Sequence, residues 1–256
     1  MASNVKDIKH FYGRIQMTKP LIVITGASSG FGAACAQLFA ERGYPLLLLA
    51  RRIERLEALG LPNTLCRQVD VTDRSAMSAA VAEAEARFGP ADLIVNNAGQ
   101  MLLGKLAEQD PGEWDRMLDV NVKGVLNGIH AVLPGMLARR HGTIINISSI
   151  AGRKTFPNHA AYCGTKFAVH AISENLREEV AMQDVRIITI APGAAETELL
   201  SHTSSDEIKA GYDQWKAHMG GVISAQDIAE AVRFAYEQPQ HLCIREIVLA
   251  ATRQEP

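Results

Sequence analysis

The chain has 256 residues, 47% hydrophobic and 21% charged, with a formal net charge of −2. That length suits one soluble α/β domain with a large core, and the near-neutral charge gives no reason to expect nucleic acid or an anionic membrane as partner. The longest apolar run, Pro45 to Ala50, is too short to span a bilayer. The first nineteen residues hold no signal-peptide core, so a cytoplasmic address is expected. Cys35, Cys66, Cys163 and Cys243 are scattered without a C-x-x-C pair, so neither a disulfide framework nor a metal site is expected.

Residues 1–16 show no clear period and read as an N-terminal extension, with Met17 as an alternative start; an extra helical turn packed on the domain is the other reading. From Leu21 the pattern becomes regular. Leu21 to Thr25 is a continuous apolar run ended by Gly26, as expected of a strand covered on both faces. Helical sequence follows from Gly30 to Arg42, then strands at Tyr44–Ala50 and Thr64–Val69 with a short helix at Ile53–Leu59 between them. Arg74–Phe88 reads as a helix, Asp92–Val95 as the fourth strand, and Pro111–Arg140 as a long helix broken near Asp119 and again at Pro134. Thr143–Ile147 is the fifth strand, Ala160–Met182 a helix, Val185–Ile190 the sixth strand and Glu246–Ala250 the seventh. This alternation predicts one domain over residues 17–256, with a seven-stranded parallel sheet, doubly wound, and helices on both faces.

The turn after the first strand, Thr25-Gly26-Ala27-Ser28-Ser29-Gly30-Phe31-Gly32, places glycines where backbone can approach a pyrophosphate, and a helix N-terminus supplies N–H donors. Its spacing is G-x-x-x-G-x-G, not G-x-G-x-x-G. The second strand ends in Arg51-Arg52, and guanidiniums at this place bind the ribose 2′-phosphate, so NADP(H) is expected over NAD(H). Asp70 and Val71 after the third strand would meet adenine. Asn97, Ala98 and Gly99 after the fourth tie loops together and leave room for ribose.

Ser149, Tyr162 and Lys166 complete the pattern, the last two four residues apart and so on one helix face. Taken with Asn-Asn-Ala-Gly at 96–99, Asn121 and Pro192-Gly193 with Thr197, these motifs resemble the single-domain branch of the short-chain dehydrogenase/reductase family, over essentially everything from Met17 onward. Gly-Phe-Gly and Ala-Arg-Arg-Ile-Glu-Arg-Leu resemble its NADP-dependent serine/3-hydroxy acid dehydrogenases. Ser-Ser-Ile-Ala-Gly-Arg, Thr-Glu-Leu and residues 225–233 resemble clavulanic acid dehydrogenase-like reductases.

The resemblance implies a Rossmann fold and reversible hydride transfer between a secondary alcohol and its ketone or aldehyde. It makes Tyr162 the acid/base and Lys166 the residue that lowers the phenol's pKa and holds the nicotinamide ribose. A phenol with a pKa of about 10 must come down by roughly 3 pH units, about 4 kcal/mol, to work near neutrality. Ser149 would orient the substrate oxygen, and Asn121 would hold a proton-relaying water at a helix kink or simply satisfy loose backbone there. Pro192, Gly193 and Thr197 would bind the carboxamide.

Residues 196–221, with Gly220-Gly221 as a hinge, read as a substrate lid, a helical insert, or both. Arg153 and Lys154 would bind a substrate carboxylate, which points to small 3-hydroxy acids such as serine, unless they only face solvent. Met101, Leu102, Leu103, Leu199 and Leu200 would instead suit bulkier ketones or aldehydes. A non-catalytic dinucleotide sensor is the remote alternative. No G-x-S-x-G occurs to support a serine hydrolase. Relatives are commonly homotetramers, which implies pairing of the helices beginning near Trp114 and Ala160.

Overall fold

Seven strands build the framework: β1 (Leu21–Thr25), β2 (Leu46–Ala50), β3 (Thr64–Gln68), β4 (Ala91–Asn96), β5 (Gly142–Ile147), β6 (Val185–Pro192) and β7 (Glu246–Leu249). They form one sheet in the order β3-β2-β1-β4-β5-β6-β7, with every pairing parallel. A computed structural model describes residues 19–255, so the expectations for residues 1–16 and for Met17 lie outside the described part.

β1, β2, β5 and β6 are buried at every position. The apolar runs of β1 and β2 suit a sheet covered on both faces, while β5 carries buried Thr143 and Asn146 within its run. Alternate side chains go to opposite faces. Ile22, Ile24, Leu46 and Leu48 pack under α1 (Gly30–Glu41) and α8 (Ala225–Tyr236). Leu21, Val23, Leu47 and Leu49 pack under α3 (Arg74–Phe88), α5 (Gly124–Arg139) and α6 (Ala160–Val180). Full burial of one such side chain contributes about 1.5–3 kcal/mol. A polar line crosses this core without a charge: Asn96 donates to Asn146 and Asn146 to Ser173, each at 2.9 Å.

The doubly wound parallel sheet predicted from the alternation is therefore present. Local differences have physical causes. Pro134 does not break α5; the flanking Val132 and Met136 are buried against the sheet and hold the helix through the missing N–H. The expected break near Asp119 is a π-helical turn, Asp119–Lys123, between α4 (Pro111–Leu118) and α5. The stretch before β7 holds α8, started by a capping box in which Ser224 and Asp227 bond reciprocally. No helix among the described residues is long and apolar enough to cross a membrane.

Candidate active site

The carboxyl ends of the strands open into a cleft of about 730 Å³. Its floor at one end is the turn between β1 and α1. Gly26 has φ +64, and a Cβ there would stand 2.8 Å from the Ala98 Cα, so this turn needs glycine. Asn97 holds the turn from the next loop, donating to Thr25 O at 2.9 Å and Gly26 O at 3.2 Å, while Thr25 Oγ1 accepts from the Asn97 and Ala98 amides. Ser29 begins α1 without a side-chain cap, so the first-turn amides keep their donors for another acceptor.

Arg51, Arg52, Asp70 and Val71 line the same cleft beyond this turn. Arg52 donates to Ser28 Oγ at 3.1 Å and Ser29 Oγ at 3.2 Å, which aims one guanidinium edge at the glycine turn. The Asp70 carboxylate accepts from the Thr72 amide at 2.9 Å, fixing its direction.

At the other end, α6 and the loop after β5 bring Ser149, Tyr162 and Lys166 together. Ser149 is anchored on both sides, donating to Pro192 O at 3.3 Å and accepting from the Ala151 amide at 3.0 Å. Its hydroxyl is also the hydrogen-bond partner of the Tyr162 phenol. Burial pushes that phenol well above its ordinary pKa, and the Ser149 bond offsets only part of the rise. Lys166 is 6% exposed, and its ammonium donates to Ile147 O at 3.0 Å and lies 5.7 Å from the Tyr162 ring centre. Burial pulls its pKa from 10.5 down to about 8.

Asn121 and Gly32 do not line the cleft; they stand behind it. From the π-helical turn, Asn121 donates to Gln100 O at 2.9 Å and Thr165 Oγ1 at 3.0 Å and accepts from the Gln100 amide at 2.8 Å. The side chain thus staples the loop after β4 to the helix that carries Tyr162 and Lys166. Gly32 has no room for a side chain, because a Cβ would approach Asn97 Nδ2 to 2.6 Å and Ala27 Cα to 2.9 Å. Gly26, Ser28, Ser29, Gly30, Phe31, Asn97, Ala98, Gly99, Pro192, Gly193 and Thr197 all line the cleft.

The carboxylate clamp expected from Arg153 and Lys154 is not formed. Arg153 pairs with Glu246 at 2.5 Å, and Lys154 stands over the Phe156 ring at 4.9 Å; neither lines the cleft. Cys163 is buried and its thiol is pushed up by that burial, which fits packing and not nucleophilic chemistry. Phe156 and His159 are among the cleft residues that the sequence motifs do not single out, whereas Glu198 falls in the expected lid segment. His159 lies one helical turn before Tyr162, and that spacing was the available signal.

A glycine turn where the strand order reverses between β1 and β4, facing a buried tyrosine–lysine pair, defines the class of dinucleotide-dependent α/β oxidoreductases. The open amides of α1 and the size of the cleft fit such a cofactor. The sequence profile of the family described as short chain dehydrogenase matches residues 20–208. An oxidoreductase of Staphylococcus saprophyticus is 40% identical over 240 residues, covering 91% of this chain and 96% of that protein. A glycine betaine reductase of Emericella nidulans is 38% identical over 241 residues, but these make up only 19% of that much longer protein. The closed form of a serine dehydrogenase complexed with NADP+ superposes with a TM-score of 0.86 at 32% identity, over 92% of this chain and 96% of that one. An alcohol dehydrogenase of Thermococcus sibiricus complexed with 5-hydroxy-NADP follows at 0.81 and 28%, over 93% and 99%. The chain belongs to the short-chain dehydrogenase family, and is an NAD(P)-dependent oxidoreductase acting on CH–OH groups.

Proposed function

We propose that the protein is an NADP-dependent oxidoreductase that interconverts a secondary alcohol and its ketone, or a primary alcohol and its aldehyde, with Tyr162 as the acid/base. The observation that carries this reading is the cluster of Ser149, Tyr162 and Lys166 on one wall of the cleft that begins at the glycine turn. A nicotinamide cofactor held in this cleft would supply or accept the hydride. Tyr162 Oη gives its proton to the carbonyl oxygen during reduction and takes it back during oxidation. Ser149, held by Pro192 O and the Ala151 amide, orients that oxygen where charge develops. The Lys166 ammonium favours the phenolate, opposing the burial that disfavours it. Lys166 also holds the ribose, Asn121 supports the proton path behind it, and Pro192, Gly193 and Thr197 hold the carboxamide.

The preference for NADP is supported by Arg52 beside the glycine turn and by the complexes of similar proteins with NADP+ and 5-hydroxy-NADP. For the substrate, the cleft wall of Met101, Leu103, Phe156, Leu199, Tyr212 and Trp215 favours a carbonyl compound with a sizeable apolar or aromatic substituent. A small 3-hydroxy acid such as serine is the second reading, supported by likeness to the serine dehydrogenase fold. Residues 196–221 act as the lid: α7 (Asp206–His218) has no fully buried residue and only partly buried Ile208 and Tyr212 against the cleft's apolar cluster. Exposed Leu118, Leu126 and Phe167 on α4, α5 and α6 support pairing of these helices in a homotetramer. A panel of ketones, aldehydes and hydroxy acids, run with NADP(H) and NAD(H) in parallel, tests the reading. Faster turnover of apolar carbonyls with NADPH is expected. Strict preference for serine-like acids overturns the substrate assignment, and preference for NADH overturns the role of Arg52.

A further inference from the structure

The segment after β6 sends one acidic side chain back across the cleft. Glu198, the first residue of the 3₁₀ turn Glu198–His202, accepts from Arg55 at 3.0 Å on Oε1 and 3.1 Å on Oε2. The same carboxylate accepts from Arg52 at 3.3 Å and 3.4 Å on Oε2. These partners are 146 and 143 positions away in sequence, so the contact exists only through the fold. Arg52 is at the same time bonded to Ser28 and Ser29 of the glycine turn. The end of β2, the phosphate-type turn and the lid segment therefore converge on one carboxylate. The two guanidiniums hold the Glu198 carboxyl below the usual carboxylate range, with Arg55 the larger influence.

Guanidinium donors bind carboxylate and phosphate through the same paired N–H geometry. An anion already seated on Arg52 and Arg55 must be displaced, or must share its donors, when another anion arrives. We propose that Glu198, held by Arg55, competes with the cofactor's 2′-phosphate for Arg52, and so limits the enzyme's discrimination between NADP and NAD. This rests on the assignment of Arg52 to the 2′-phosphate. A dianionic phosphate with three acceptor oxygens outcompetes the carboxylate, but binds less tightly than it would to unoccupied arginines. A free 2′-hydroxyl meets no such competition, since it can donate to the carboxylate as it does to acidic residues elsewhere in dinucleotide sites. The contact also places the start of the lid segment over the adenosine end of the cleft, so the 2′-phosphate releases that anchor and NAD leaves it in place.

The test is Glu198→Gln, which keeps size and removes the charge at a half-exposed position where folding is not at stake. Dissociation constants for NADPH, NADH and 2′,5′-ADP are measured by fluorescence titration and competition at low ionic strength. The variant is expected to bind NADPH and 2′,5′-ADP about threefold to fivefold more tightly, the scale of one exposed ion pair. NADH binding is expected to be unchanged or weaker, and the NADPH gain should shrink in 0.5 M salt as screening removes the competition. Glu179→Gln is the control, because Glu179 is an exposed carboxylate on α6 that neither lines the cleft nor bonds either arginine; it should leave both affinities as they are. Unchanged or weaker NADPH binding in Glu198→Gln, or equal tightening of both cofactors, overturns the proposal. Equal wild-type affinity for NADPH and NADH overturns the assignment of Arg52 beneath it, and the proposal falls with that assignment.

Discussion

Replacing Lys166 by methionine separates the charge of this residue from its bulk. The methionine keeps a long apolar side chain in the buried slot and removes the ammonium that lies 5.7 Å from the Tyr162 ring. With that separation and an effective dielectric constant of about 20, the lost attraction to a phenolate is about 3 kcal/mol, or roughly two pH units on the Tyr162 titration. The rising limb of kcat/KM for alcohol oxidation, measured from pH 6 to pH 10 at saturating NADP+, should move up by about that amount, with a loss of roughly 100-fold below the limb. The effect has its own pH window. Burial brings the pKa of Lys166 from 10.5 to about 8, so its charge is present below pH 8 and lost above it. The advantage of wild type over Lys166→Met should accordingly be full below pH 8 and fade as pH rises through it. A second consequence runs the other way in stability. The folded pKa is depressed, so the unfolded chain binds more protons between pH 8 and 10.5, and wild-type stability rises with pH across that interval. Lys166→Met should be more stable than wild type at pH 7, by up to about 3 kcal/mol in urea melts, with the gain gone near pH 10.5. A rate deficit of constant size from pH 6 to 10 would refute this reasoning, because it would assign Lys166 to cofactor positioning alone.

Two glycine substitutions probe the site and its support separately. Gly32→Ala drives a Cβ into the Gly26 carbonyl and to 2.6 Å from Asn97 Nδ2, backbone and a tethered side chain that cannot both yield; NADPH affinity by fluorescence titration should fall at least roughly 100-fold, more than 2.7 kcal/mol. Gly128→Ala, on α5 far from the cleft, overlaps the Asn96 side-chain oxygen and comes within 2.9 Å of Asn96 Cγ, disturbing the Asn96–Asn146–Ser173 line. Its cost should be about 2–4 kcal/mol in urea denaturation, with NADPH affinity of the folded fraction unchanged. A Gly128→Ala protein as stable as wild type would mean that Asn96 is free to move.

What could be read in advance was what is local in the chain. The Gly26–Gly32 turn, the Tyr162–Lys166 pair and the apolar strands each carry their signal within a few residues, and the order of strands and helices followed from their alternation. The features that escaped depend on partners distant in sequence. Arg153 is 93 positions from Glu246, and no local pattern reveals that this pair removes the expected carboxylate clamp. The contact of Glu198 with Arg52 and the threefold bonding of Asn121 by Gln100 and Thr165 are of the same kind. Pro134 failed as a helix breaker because local propensity was overridden by the burial of its neighbours. α8 did carry a local signal, the Ser224 capping box, and could have been found from it.

Central to the account is the assignment of proton transfer to Tyr162, and removal of one oxygen atom tests it. Tyr162→Phe keeps the ring packed between Ser149 and the apolar wall and deletes the hydroxyl. NADPH should bind the variant with near wild-type affinity by titration, while single-turnover oxidation of NADPH by a carbonyl substrate should fall by about 10²–10⁴-fold, the usual contribution of a positioned acid/base. Turnover at the wild-type rate in Tyr162→Phe would contradict the account, and would place the proton donor elsewhere in the cleft.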